Sequence, residues 1–148
     1  MINQISIKTR LGWISAYENK GKIFKIKFGK SKNWDRGKIL HNFKKNLLNF
    51  INKKQEKINS PHIMMGNKIQ KKIWSAMKKV RRGNTISYGK LAKKYKLSPR
   101  HVGKICGQNN LLLIVPCHRV IKNNGSLGGF SSKGGLRLKK KLLDLEKK

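Results

Sequence analysis

Leu111-Leu112-Leu113-Ile114-Val115-Pro116-Cys117-His118-Arg119-Val120-Ile121 is the stretch around which the rest of the chain is organised. An apolar run that ends on a proline stops a strand or an extended segment at a fixed point, so rigid backbone is expected to hold the Cys117 thiol. A neighbouring imidazole, His118, can help to take the thiol proton, and the Arg119 cation favours the thiolate. If the segment stays extended, Cys117 and His118 point to opposite faces and can communicate only through a water. The pair by itself also fits a half-buried structural cysteine beside a surface histidine.

Downstream, residues 123–130 are turn-rich, residues 131–135 read as a loop, and Leu136, Leu138, Leu142, Leu143 and Leu145 predict a closing basic helix. Upstream, Leu97-Ser98-Pro99 is a tight turn in which Ser98 can cap a helix and Pro99 suits its first position. That helix carries Arg100, Val102, Ile105 and Cys106, and a shorter one with Leu91, Ala92 and Tyr95 precedes it. Helix, short turn, helix is the shape of a helix-turn-helix, whose second helix can enter a nucleic-acid groove; an αα-hairpin used only for packing gives the same pattern. Ile69, Ile73, Trp74, Met77 and Val80 predict another helix. Further upstream the period changes. Leu40, Phe43, Leu47, Phe50 and Ile51 fall at helical spacing. Before them Ile5-Ile7-Thr9, Trp13-Ser15-Tyr17 and Ile23-Phe24-Ile26-Phe28 read as a three-stranded antiparallel meander broken at Leu11-Gly12 and Asn19-Lys20-Gly21. The expected division is therefore an N-terminal module over 1–60 and a C-terminal helical domain over 61–148.

The 148 residues carry 37 Lys and Arg against 5 Asp and Glu, a formal charge of +32. Such a balance points to a polyanionic partner, with nucleic acid first, although the Lys, Asn and Ile richness also arises as compositional drift. Residues 1–10 lack the apolar core of a signal peptide, and no stretch approaches a membrane span. A reducing cytoplasm is the expected location, where a free thiol is admissible. Cys106 and Cys117 form no CxxC pair, and His41 and His62 lie far from them, so a metal site is not expected.

Taken together, Ile73-Trp74, Ile86-Ser87-Tyr88-Gly89-Lys90-Leu91-Ala92, Arg100-His101-Val102-Gly103, Asn109, Pro116 to Ile121, Gly125 to Phe130, and Leu142-Leu143 with Glu146 resemble the O6-alkylguanine-DNA alkyltransferase family. The resemblance runs from about Gly66 to Glu146; before that, Leu11-Gly12-Trp13 and the strand pattern are loosely similar to the family's ribonuclease-H-like module. It implies an α/β (α+β) protein, with a small antiparallel sheet module followed by a helix-turn-helix, winged-helix-like alkyltransferase domain. It implies irreversible single-turnover transfer of an alkyl group from O6-alkylguanine in double-stranded DNA to Cys117, without metal or cofactor, by a monomer. It further implies His118 as base through a water, Glu146 as its orienter and Asn109 as a brace for the cysteine turn. Tyr88, Gly89, Arg100, His101 and Arg119 would contact DNA and flip the base. Val120, Phe130 and Ser131 would line the base pocket. His101 stands where the family usually has a small residue, and the loop after Phe130 is longer than the family pattern. Basic DNA binding around a structural cysteine and thiol hydrolysis by Cys117 with His118 are the competing readings.

Overall fold

The computed structural model describes residues 2–32, 37–128 and 134–147. It divides into two compact units, Met1–Met65 with Asn110–Ile114, and Gly66–Asn109 with Val115–Lys148. The break thus falls a few residues beyond the expected 60/61, and Asn110 with four residues of the central apolar run, Leu111 to Ile114, returns to the first unit.

In the first unit, β1 (Asn3–Thr9), β2 (Gly12–Asn19) and β3 (Lys22–Phe28) form the antiparallel meander in the order β1-β2-β3. The first hairpin turns on Gly12, whose φ of 103° is closed to most side chains; the Thr9 hydroxyl accepts from Leu11 N–H and donates to the Gly12 carbonyl. Strand alternation, reset on β3 by a bulge opposite Tyr17 and Glu18, sends Ile5, Ile7, Ile14, Ala16, Ile23 and Ile26 inward. The helix α1 (Lys38–Ile51) packs on that face, burying Leu40, Phe43, Leu47, Phe50 and Ile51. Each such burial stabilises by about 1.5–3 kcal/mol, so this face rather than intrinsic helix propensity holds α1. The Arg10 guanidinium donates to the Ile51 carbonyl at the C-terminal end of α1, where a cation offsets the helix dipole.

The run Leu111–Ile114 is not the expected strand. Ile26 N–H donates to the Asn110 carbonyl at 2.7 Å and Leu111 makes one isolated bridge to Ile26. Leu113 then turns the chain with φ 74°, a left-handed conformation that ends extension before Pro116 is reached.

The second unit contains α2 (Lys68–Lys78), β4 (Ile86–Ser87), α3 (Tyr88–Lys94), α4 (Pro99–Gly107), β5 (Val120–Ile121) and α5 (Gly135–Glu146). Asn67 and Gln70 form a reciprocal capping box at the start of α2, Ser87 caps α3, and Ser98 caps α4 with Pro99 in its first turn. α3 packs on α4, and Trp74 of α2 donates its indole N–H to the Ile105 carbonyl at 3.0 Å. The parallel pair β4–β5 joins the start of α3 to the end of the cysteine segment. The cysteine segment is a single 3-10 turn, Cys117–Arg119. No helix among the described residues is long and apolar enough to cross a membrane.

Candidate active site

The 3-10 turn decides where the reactive side chains go. In a 3-10 turn successive side chains are about 120° apart rather than on opposite faces, so the expectation from an extended segment does not hold. The turn is fastened on both sides. Cys117 N–H donates to the Val115 carbonyl at 2.8 Å, and Arg119 N–H donates to the Pro116 carbonyl at 3.0 Å. Asn109, just beyond α4, donates from its amide to the same Val115 carbonyl at 2.8 Å.

Behind the turn lies a charged, fully buried cluster. His118 Nε2 and Glu146 Oε2 are 2.9 Å apart, with both side chains 1% exposed. Arg119 donates to the same carboxylate through Nε at 2.9 Å and Nη2 at 2.8 Å, and its Nη1 donates to the Val80 carbonyl at 2.7 Å. Burial alone would raise the Glu146 pKa, but the hydrogen bonds from Arg119 and His118 pull it from 4.5 down to about 2. Glu146 is therefore a fixed anion. Burial pushes the His118 pKa down, with Glu146 opposing. His118 is then a neutral imidazole that donates Nε2–H to Glu146 and keeps the lone pair of Nδ1 for a proton.

Arg119 is a correction to the sequence reading. Its guanidinium is desolvated and bidentate on Glu146, so it holds the relay and is not available to DNA.

The cation on the other side of the thiol is Lys139. It is 0% exposed, donates to the Val120 carbonyl at 2.7 Å, and lies 3.4 Å from the Tyr88 hydroxyl and 5.6 Å from the Tyr88 ring centroid. Burial pushes the Cys117 thiol up; the Asn109 hydrogen bond and the Lys139 charge pull the other way. Sequence reasoning missed Lys139 because it stands among lysines in a basic helix. The available signal was its spacing: Lys139, Leu142 and Glu146 fall at helical intervals on one face of α5.

Cys117 opens on a cavity of about 760 Å³, lined among others by Tyr88, Gly103, Cys106, Asn123 and Gly128. Tyr88, the first residue of α3, has its pKa raised to about 12 by burial and by the two nearby thiols. Cys106 is likewise pushed to about 12, by burial first and then by Cys117. Gly128 has φ 73° and a Cβ there would lie 3.0 Å from the Tyr88 ring, so only glycine lets that ring sit in the cavity wall. Gly89 does not face a ligand alone: its N–H donates to Asn123 Oδ1 at 3.0 Å, and a Cβ would meet that side chain at 2.5 Å. Asn123 had been read only as a turn residue.

Arg100 and His101 are exposed in the first turn of α4. The His101 ring borders a separate small groove of about 190 Å³ with Asn67, Gln70, Lys104 and Gln108. Val120 is buried, with its carbonyl already accepting from Lys139. Phe130 and Ser131 lie outside the described residues.

Residues 68–148 match the family model described as 6-O-methylguanine DNA methyltransferase, DNA binding domain. The methylated-DNA–protein-cysteine methyltransferase of Saccharomyces cerevisiae is 40% identical over 86 residues, 57% of this chain and 45% of the yeast protein. That of Methanocaldococcus vulcanius is 49% identical over 76 residues, 51% of this chain and 45% of the relative. The chain thus spans about half the length of the curated relatives it matches. In fold it is similar to the O6-methylguanine methyltransferase of Mycobacterium tuberculosis, with a TM-score of 0.87 at 24% identity over 99% of this chain and 93% of the other.

Proposed function

The chain belongs to the 6-O-methylguanine DNA methyltransferase DNA-binding-domain family, and from that premise we propose that it repairs DNA by direct reversal, transferring an alkyl group from O6-alkylguanine in double-stranded DNA irreversibly to Cys117. The observation that carries this reading is the buried relay beside that cysteine. Neutral His118 is bonded to the fixed anion Glu146 at 2.9 Å, in the same unit as a cavity of about 760 Å³ that Cys117 lines.

The alkyl carbon lies inside the duplex, so the base must first leave the stack. Arg100 stands exposed on α4 and would fill the vacated place; Tyr88 borders the cavity and would hold the flipped nucleotide. The resting thiol is protonated, because burial outweighs its two stabilising neighbours. Its proton passes, through a water, to His118 Nδ1, and the resulting imidazolium is stabilised by Glu146. The sulfur then forms a bond to the alkyl carbon while the bond from that carbon to O6 breaks. The electron pair stays on the guanine, which takes up a proton. Lys139 and Tyr88, 3.4 Å apart, would meet that proton and the developing charge. The product is a thioether with no easy leaving path, so each molecule acts once. No metal or organic cofactor enters any step. Two buried free cysteines suit a reducing cytoplasm, and a monomer holds every residue the scheme uses.

Mixing the protein with a duplex containing O6-methylguanine should raise its intact mass by one methylene in a single event. Cys117→Ser should bind the same duplex and gain nothing, since a neutral hydroxyl is a far weaker nucleophile. An unchanged mass in the native protein, or methylation of the serine variant at the native rate, would overturn the reading.

A further inference from the structure

We propose that the outer face of the β1–β3 sheet is a second nucleic-acid surface, which takes a single strand by stacking bases on Trp13 and Tyr17 with the phosphates on Lys25, Lys27 and Lys30. The inward residues of β2 are Ile14 and Ala16, so alternation turns Trp13 and Tyr17 to the other face, where both stay partly exposed. Lys30 Nζ lies 4.8 Å from the Trp13 ring centroid. Lys25 and Lys27 lie 5.6 and 5.8 Å from that of Tyr17, and Phe24 adds a third ring at 6.4 Å. Between the two rings Ser15 is buried, with its hydroxyl bonded to Ser6 and to the Gly29 carbonyl, so Trp13 and Tyr17 are two separate stacking platforms.

Among the described residues no carboxylate on this face is free to balance its lysines. Glu18 is 7% exposed and takes its hydrogen bonds from Asn3 and Gly21 N–H. Among the described residues the face carries no exposed carboxylate. Lysines gathered at aromatic rings repel one another, and a polyanion relieves that repulsion. Sequence-tolerant binding of unpaired bases combines these two features, rings to stack on and a basic track for the backbone. A duplex keeps its base faces inside and would use only the lysines. Trp13 and Tyr17 are four residues apart on one strand, about 13 Å, which leaves room for more than one nucleotide. Every residue of this surface belongs to the first unit and every residue assigned to alkyl transfer to the second, so this inference does not rest on the proposed function.

The test is a titration of the full chain with oligothymidine, read by tryptophan emission. Binding should quench Trp13, and Trp13→Phe should remove that quench. Lys25→Glu with Lys27→Glu should move the quench midpoint to about tenfold higher oligonucleotide concentration. Methyl transfer from an O6-methylguanine duplex to Cys117, measured in parallel, should not change in either variant. Heparin, a polyanion without bases, should bind without quenching. If the double variant melts early, the native quench and its loss in Trp13→Phe decide alone. No quench by oligothymidine, an unmoved midpoint in a folded double variant, or an equal quench by heparin would overturn the proposal.

Discussion

The two sides of Cys117 are built on opposite electrostatic plans. Behind it, Arg119, Glu146 and His118 form a cluster whose members satisfy one another; Glu146 is driven to about 2, so its charge stays on. In front, along the cavity, burial pushes Tyr88 and Cys106 to about 12, so their neutral forms are favoured. Both sets of side chains are shifted by burial, yet one keeps a paired charge and the other keeps a neutral phenol and thiol. Burial alone therefore does not set protonation; the presence of a bidentate partner does. A permanent anion behind the thiol can stabilise a proton received by His118. The neutral Tyr88 hydroxyl and Cys106 thiol in front suit an uncharged alkylated base.

The largest break in this contrast should come from Glu146→Gln. Arg119 would keep its charge with only neutral acceptors, and leaving a buried charge without its counter-ion costs about 3–5 kcal/mol. Methyl transfer should fall by about a hundredfold as well. Unchanged melting with normal transfer would show that the cluster is ornamental. The same pair gives a pH dependence. The folded Glu146 value lies below the ordinary 4.5, so its contribution is complete above that value and is lost as pH falls toward 2. That shift corresponds to about 3 kcal/mol, to be read as a difference in acid stability between the native protein and Glu146→Gln.

Lys139→Met sharpens the comparison from the cavity side. Without that cation the thiolate is harder to form, so the pH–rate profile should move to higher pH, and transfer should slow by about tenfold or more on duplex and free base alike. A profile displaced to lower pH would reverse the assigned role. Arg100→Ala should slow transfer from duplex DNA while sparing reaction with free O6-alkylguanine, because only the duplex requires extrusion. Equal slowing on both would make Arg100 structural. The smallest effect is expected from Cys106→Ala, which should leave transfer within about twofold, since a thiol held at about 12 behaves as a small apolar side chain.

Much of this arrangement was legible in the residues. The period-2 strands, the helical spacing of Leu40 to Ile51 and the Ser98-Pro99 cap all reappear as elements, because each is a local signal that its surroundings reinforce. Leu111–Ile114 misled because a short apolar run has no period of its own; the turn at Leu113 and the bridge to Ile26 are set by tertiary packing. Arg119 was read as a DNA contact because a basic residue in a basic chain carries no mark of burial. Its partner Glu146 lies 27 residues away, and only the folded chain brings them together. Lys139 was hidden for the same reason, and Asn123 because a turn asparagine gives no hint that its side chain caps the backbone at Gly89.

We expect the relay and Lys139 to select one of the two thiols that line this cavity. After the native protein has reacted with an O6-methylguanine duplex, peptide-level mass spectrometry can locate the methyl group. It is expected on Cys117 alone, with Cys106 unmodified. A methyl group on Cys106, or one shared between the two cysteines, would contradict it.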